Sequence, residues 1–315
     1  MLDGMDYVYE VYLEKSFSGA AKKLFVSQPA LSAAVKKVEK QLGITIFDRS
    51  TNPISLTQAG RVCIESIEQM KALQHNMLNQ LNDLSDMKSG SVIVSAENFI
   101  SSFILPDIII EFMNTYSGIT VELVESHSHD LKNQLLEEKV DILVAHDFDP
   151  ELFTSFPLAD ETLLLAVPAA FSVNEKFTDK SLTDEDVKNK KYLEKGCPTV
   201  DLQEFSEEDF LVLKKGNDMF TRTMQLCENA GFIPKVKIYP DQLLTAYNMA
   251  RAGLGITIVT DNLLRAERGA SKCVFYKLSG DNTRRKLAMG YKKKRYPSRA
   301  MEAFVQCAKQ VYDRK

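Results

Sequence analysis

Gln28, Ser32 and Lys36 recur every four residues in QPALSAAVKKVEKQL. On a helix that spacing puts an amide, a hydroxyl and an ammonium on one face. Such a set can hydrogen-bond the edges of nucleobases and hold phosphate oxygens. Leu31, Val35, Val38 and Leu42 recur on another face and are expected to pack inward. Residues 15–50 carry seven basic side chains against two acidic ones, although the whole chain of 315 residues has a net charge of -4. A locally basic N-terminal module on an acidic body suits a contact with phosphates at one end only.

No comparable set points to catalysis. The chain has no G-x-S-x-G, P-loop or H-E-x-x-H pattern, and Gly253-Leu254-Gly255 alone is no dinucleotide fingerprint. His127, His129 and His146 could hint at a metal, but His127 and His129 would project to opposite faces of a strand, and no spacing completes a site. No enzyme activity, cofactor or metal is therefore expected. Cys63, Cys197, Cys227, Cys273 and Cys307 are scattered without a C-x-x-C, which argues for reduced, mostly buried thiols. Cys197 and Cys227 as a redox pair is the weaker reading, since Cys227 sits beside Leu226 on a helical pattern. The N-terminus MLDGMDYVYE is acidic where a signal peptide is basic and then apolar, and no apolar run is long enough to span a bilayer. A cytoplasmic protein with no membrane contact is expected.

The elements that must hold the polar face can be read around it. Residues 5–13 form one helical pattern, and Ser18 before AAKKLF is the expected N-cap of a second. Ser27 is the expected N-cap of the third, with Pro29 in its first turn and Gly43 as its stop. ITIF and ISLT then read as two short strands around the turn Ser50–Pro53, completing a winged helix-turn-helix, with the helix-turn-helix segment at about 17–36. In that geometry Ser27, Gln28, Pro29 and Ala30 open the recognition helix. Gln28 is expected to meet a base edge, Ser32 a base or phosphate, and Pro29 or Ala30 a thymine methyl, while Lys36, Lys37 and Arg49 hold phosphates.

From Thr57 to Met87 the chain lacks Pro, and Ile64, Ile67, Leu73, Leu78, Leu81 and Leu84 mark one long amphipathic helix. Near-heptad spacing suits pairing with a second copy; packing on its own domain is the alternative. Lys88–Ser91 reads as a linker. Beyond it, SVIVSA, ITVELVE, DILVAH, TLLLAVP, DFLVLK, KVKIY, GITIVT, CVFYK and KLAMGY alternate with helical segments, predicting α/β structure with a largely parallel sheet, able to form two lobes around a ligand cleft. Lys292–Arg295 reads as a solvated loop.

SFSGAAKKLFVSQPALSAAVKKVEKQLGITIFDRSTNPISLTQAG resembles the DNA-binding domain of LysR-type transcriptional regulators, and LPDIIIEFMNTYSGITVELVE together with the stretch from LVLKKGND to GLGITIV resembles the two lobes of that family's effector domain. The resemblance implies a multi-domain chain. It comprises a winged helix-turn-helix at 1–58, a linker and dimerisation helix at 59–89, and an effector domain at 90–315 like the periplasmic binding proteins. The second lobe, 162–266, is inserted into the first, 90–161 and 267–315. It implies a homodimer or homotetramer on double-stranded operator DNA, with recognition helices about 34 Å or a multiple apart, responding to a small-molecule effector. Asn98, Phe99, Ile100, Ser101, Ser126, His127, His146, Asp218, Met219 and Thr245 would then face the cleft. Glu97 and Asp218, if both point inward, favour an amine-bearing or neutral ligand over a plain carboxylate. Ala33 and Ala34, and Ser50, Thr51 and Asn52 in the wing, depart from the larger polar and basic residues common in the family, which implies weaker or more selective wing contacts. The runner-up is a small-molecule-binding module whose helical N-terminus meets only other proteins.

Overall fold

A computed structural model describes residues 4–83, 90–125, 128–267 and 271–313. The chain divides into two compact units, Met1–Leu78 and Asn79–Lys315, with the division inside one long helix; of the linker expected at 88–91, Lys88 and Ser89 lie outside the described residues, and Gly90 and Ser91 open a strand.

The first unit contains α1 (Met5–Glu14), α2 (Phe17–Lys23), α3 (Gln28–Leu42), the antiparallel pair β1 (Phe47–Asp48) and β2 (Ser55–Leu56), and most of α4 (Gln58–Asp83). Ser16, not Ser18, caps α2, its hydroxyl accepting from Gly19 N at 3.2 Å. An N-cap must keep an extended backbone while its side chain turns back to the third amide, and Ser16 has that geometry whereas Ser18 is already helical. Ser27 caps α3 through Ala30 N, Pro29 lies in the first turn, and Gly43 ends the helix at φ 68°. Val8, Val11, Phe17, Ala20, Ala21, Leu31, Val35 and Val38 form the core with Ile46, Phe47, Ile64 and Ile67. Leu42, expected to pack inward, is 36% exposed, because it falls at the end of α3 where the core has ended.

Gly60 shows how tightly α4 seats. A Cβ there would lie 2.0 Å from the Ile46 carbonyl oxygen, so only glycine lets the helix pass that backbone. Gly60→Ala should cost this unit at least about 3 kcal/mol, because neither contacting group is a side chain that can rotate away. Thermal unfolding of the variant checks it. The two halves of α4 behave differently. Ile64 and Ile67 are buried in the unit's own core, whereas Leu73, Met77, Leu78 and Leu81 are exposed. Leu84 lies outside the described residues.

The second unit runs β3 (Gly90–Ala96), α5 (Asn98–Phe103), α6 (Leu105–Thr115), β4 (Ile119–Glu125), α7 (Ser128–Leu136), β5 (Ile142–His146), β6 (Phe153–Pro168) and α8 (Asp184–Lys188). It continues with β7 (Asp209–Leu211), α9 (Asp218–Asn229), β8 (Lys235–Ile238), α10 (Leu243–Arg251), β9 (Thr257–Thr260), α11 (Asp261–Ala266), β10 (Cys273–Lys277), β11 (Arg284–Lys292) and α12 (Arg299–Asp313). Among the described residues the strand order is β10-β6-β11-β5-β3-β4, with β9 also on β6 and β7 pairing β8 apart.

The sheet is mixed, which corrects the largely parallel expectation. Only β3-β4, β3-β5 and β7-β8 are parallel; β11 runs antiparallel to both β5 and β6. The reason is connectivity: a chain that leaves one lobe on β6 and returns on β11 must lay those strands in opposite directions. β6 belongs to both lobes. Its residues 153–162 pair with β11 and its residues 163–168 with β9 and β10. Its burial changes from alternating to continuous at Glu161, where a half-solvated strand becomes one covered on both faces. β10, in the segment expected with the first lobe, pairs with the same stretch of β6 as β9 does.

A further correction concerns charge. Arg295 is no solvated loop residue: it is buried, pairs with the buried Asp141 carboxylate and donates to Val140 O at 2.9 Å. Asp141 also accepts from Ile93 N at 2.7 Å, so the pair ties the turn after β11 to β3. A buried guanidinium needs this many acceptors to offset its lost hydration.

Candidate nucleic-acid interface and effector cleft

At the N-terminal turn of α3, Ser27, Gln28, Pro29 and Ala30 are all exposed, while Leu31, Val35 and Val38 behind them are buried. Ser18 Oγ donates to Gln28 Oε1 at 3.3 Å. Thus Ser18, expected as a cap, instead orients the Gln28 amide. Lys36 and Lys37 stand exposed and form no ion pair among the described residues. Arg49 and Ser32 are drawn into a local brace. Arg49 donates to Ser32 Oγ at 3.3 Å, pairs with Glu39 Oε2 at 3.1 Å and lies 4.8 Å from the centre of the Phe17 ring. The other Glu39 oxygen accepts from Ile46 N at 2.8 Å and from Phe47 N at 3.4 Å. Glu39 thereby fastens the recognition helix to the strand that opens the wing. Sequence reading counted it only as a negative charge in a basic stretch, because its partners are seven and more residues away.

In the second unit a small cavity is lined by Glu97, Asn98, Phe99, Ile100, His146 and Arg285 from one lobe. Leu213, Asn217, Met219, Gln242 and Leu243 line it from the other. About 20 Å³ remains free, room for a single water. Five of the ten expected effector residues line this cavity: Asn98, Phe99, Ile100, His146 and Met219. Thr245 does not; it is exposed on α10, one turn beyond Gln242, and the helix turns Leu243 inward instead. Ser101 is buried but does not line the cavity, and its hydroxyl has no hydrogen-bond partner among the described residues. Asp218 does not line the cavity, and its carboxylate accepts from the Arg285 and Arg222 guanidinium groups. Ser126 and His127 lie outside the described residues. A larger open recess of about 910 Å³, lined by Phe103, Ile104, Asp160, Arg265 and Tyr312 among others, holds none of the expected effector residues.

The cleft is closed by charge. Arg285 faces Glu161 across the β11–β6 ladder, donating from Nε to Glu161 Oε2 at 2.8 Å. Its Nη1 reaches Asp218 at the start of α9 at 2.6 Å. Asp218 accepts from Arg222 Nε at 2.9 Å, and Arg222 also pairs with Asp147 just past β5. Two ion pairs, Arg285–Asp218 and Arg222–Asp147, therefore join residues of the two lobes. His146 Nε2 lies 2.8 Å from Glu161 Oε2, and Asn262 Nδ2 donates to Glu161 Oε1 at 2.8 Å.

Burial opposes ionisation of Glu161, but the Arg285 charge and three hydrogen-bond donors outweigh it and hold the carboxyl well below the usual carboxylate range. Burial and the Arg285 charge depress His146, whose proton Glu161 only partly retains, so the imidazole is neutral near pH 7. Arg285 was invisible to sequence reading, since it lies about 140 residues from His146 on a strand whose register alone brings it to Glu161.

Residues 85–313 match the LysR substrate binding domain, and residues 2–61 match the bacterial regulatory helix-turn-helix protein of the lysR family. The chain belongs to the LysR family of transcriptional regulators. Among LysR-type relatives it is 27% identical over 314 residues to the HTH-type transcriptional regulator YcgK of Bacillus subtilis, covering 98% of this chain and 95% of that protein. It is 25% identical over 293 residues to the DNA-binding transcriptional dual regulator OxyR of Escherichia coli, covering 91% and 88%. In fold it is similar to CbnR, a LysR family transcriptional regulator, with TM-score 0.67, 20% identity and 98% of each chain covered.

Among the described residues no helix is long and apolar enough to cross a membrane, and no group of His, Cys, Asp and Glu is arranged to hold a metal ion. Cys63, Cys227, Cys273 and Cys307 are buried and form no disulfide among the described residues, and burial pushes the Cys227 thiol up to about 12, which keeps it protonated at neutral pH.

Proposed function

We propose that this LysR-family regulator recognises an operator through the N-terminal turn of α3 and changes its grip when a small molecule enters the cleft of the second unit. The observation that carries the first half is the exposed run Ser27–Ala30 set on a helix whose opposite face is buried. Gln28 reads a base edge, Pro29 and Ala30 meet thymine methyls, Lys36 and Lys37 hold phosphates, and Ser32 and Arg49 brace the helix to the wing while reaching the backbone. The exposed stripe Leu73, Met77 and Leu81 recurs every four residues and pairs α4 with a second copy, giving the two-fold arrangement that a two-half-site operator requires. Working on DNA, the protein acts in the cytoplasm, and by binding rather than catalysis.

The domain division that fits these roles is a DNA-binding unit ending near residue 58, a pairing helix, and an effector unit from 90. In that unit the second lobe runs from about residue 162 through β10. Of the charged side chains only Glu97 and Arg285 line the cavity, one of each sign, with His146 neutral. This balance favours a neutral effector or one whose amine meets Glu97, and the 20 Å³ of free space means that the lobes part, or side chains withdraw, to admit it.

Selection of duplexes from a random pool, followed by titration of the enriched duplex and a scrambled one at two salt concentrations, tests the DNA half. Equal affinity for both duplexes contradicts it. For the cleft, Asp218→Asn removes the charge that joins Arg285 to α9. Amide exchange at residues 97–100 and 217–219 should accelerate about tenfold, the loss expected for one charged hydrogen bond. Unchanged exchange there would mean that the ion pairs do not hold the lobes shut.

A further inference from the structure

Phe25 occupies the turn between α2 and α3, and it is poorly suited to that turn. Its ring is 95% exposed and its backbone stands at φ 55°, in the left-handed region. The turn is closed by the chain itself, with Phe25 N donating to Lys22 O at 3.3 Å and Val26 N to Ala21 O at 3.0 Å. Glycine or asparagine takes such a conformation with less steric conflict, and a ring in water gains nothing from burial to compensate. Neither local conformation nor packing within the chain accounts for an aromatic side chain at this position. Two residues later the exposed run Ser27–Ala30 begins.

We propose that Phe25 is a DNA-contacting residue, its ring packing on the apolar surface of a nucleotide, a thymine methyl or a deoxyribose, at the edge of the groove that α3 enters. The proposal rests on the DNA-binding reading above. It extends the recognition surface backward from the helix into the turn and adds an aromatic contact to the small apolar ones of Pro29 and Ala30. Apolar contact with thymine methyls is an established mode of base discrimination.

The test uses the full chain and the duplex that the wild-type protein enriches from a random pool. Phe25→Asn suits the left-handed backbone, so its melting temperature should equal or exceed that of the wild type, while its affinity for the enriched duplex falls about tenfold. The salt slope should not change, since no phosphate contact is lost. A second duplex carries deoxyuridine in place of thymidine. If the methyl is the contact, this duplex weakens wild-type binding more than that of Phe25→Asn, whose loss is only that of the Pro29 and Ala30 contacts; if the sugar is the contact, it weakens both proteins equally.

Unchanged affinity of Phe25→Asn alongside normal wild-type binding overturns the Phe25 assignment alone. A marked fall in melting temperature overturns it too, because the ring would then serve the fold. So does loss of self-association at unchanged affinity per bound DNA site. Failure of the wild-type protein to enrich any duplex overturns the DNA-binding reading and this inference together.

Discussion

Glu161→Gln should destabilise the second unit by about 3–5 kcal/mol, because it leaves the buried Arg285 charge with one carboxylate instead of two. In thermal unfolding this appears as a fall of roughly 10 °C in the melting transition of that unit. The cost arises from an uncompensated charge, not from lost packing, so a paired replacement separates the causes. Glu161→Leu combined with Arg285→Met should recover most of the stability lost by Glu161→Leu alone, since buried ion pairs are often replaceable by apolar groups of similar volume. If Glu161→Gln melts like the wild type, the network contributes no stability and the closed cleft needs another explanation.

The same network sets the response to acid. Glu161 titrates below its unfolded value near 4.5, so its contribution is complete above that value and is lost as the pH falls toward the folded value. His146 has a folded pKa below 6.5, so the unfolded chain takes up a proton first and stability declines as the pH falls through that range. Both groups act in the same direction: the second unit weakens on acidification, beginning below about pH 6.5. In Glu161→Gln the step near 4.5 should shrink, which denaturation at a series of pH values will show.

The second large effect concerns DNA. Gln28→Ala should remove about 1–3 kcal/mol of discrimination between the enriched duplex and a scrambled one, while weakening scrambled binding little, because a side-chain amide reads base edges and carries no charge. Lys36→Ala should weaken both duplexes alike and reduce the salt slope by about one, the signature of one released counterion. Equal loss on both duplexes for Gln28→Ala defeats its assignment. A selective loss for Lys36→Ala would place its ammonium on a base. Ser18→Ala, which removes the hydroxyl that orients Gln28, should follow the Gln28 pattern at smaller amplitude.

These outcomes differ in how far they could be foreseen. The recognition helix was legible because its signals are local: Ser27, Pro29 and Gly43 obey capping chemistry over three or four residues, and the apolar stripe repeats at the helical period. The same reading misplaced the cap of α2 by two residues, since Ser16 and Ser18 are chemically alike and only backbone angles distinguish them. The long helix left two readings open, packing at home and pairing with a second copy, and its two stretches differ. Ile64 and Ile67 pack at home, while Leu73, Leu78 and Leu81 remain exposed, a difference that depends on where the neighbouring core ends.

The cleft was the least legible part. Asn98, Phe99 and Ile100 were nameable through the family resemblance, but Arg285 meets Glu161 and Asp218 only because β11 returns antiparallel beside β6. Long-range register of that kind leaves no trace in local periodicity. The expectation of a largely parallel sheet failed for the same reason, because strand direction follows the path of an inserted lobe.

By itself, then, the sequence determined the elements, the winged helix-turn-helix, the polar face on α3 and the family to which the chain belongs, because each is written in spacings of a few residues. Tertiary structure alone decided that Arg49 and Ser32 brace the wing, that Ser18 steadies Gln28, and that ion pairs join the two sides of the small cavity in the second unit. Those depend on side chains brought together across tens to hundreds of residues, where burial strengthens charge interactions that the linear chain cannot display.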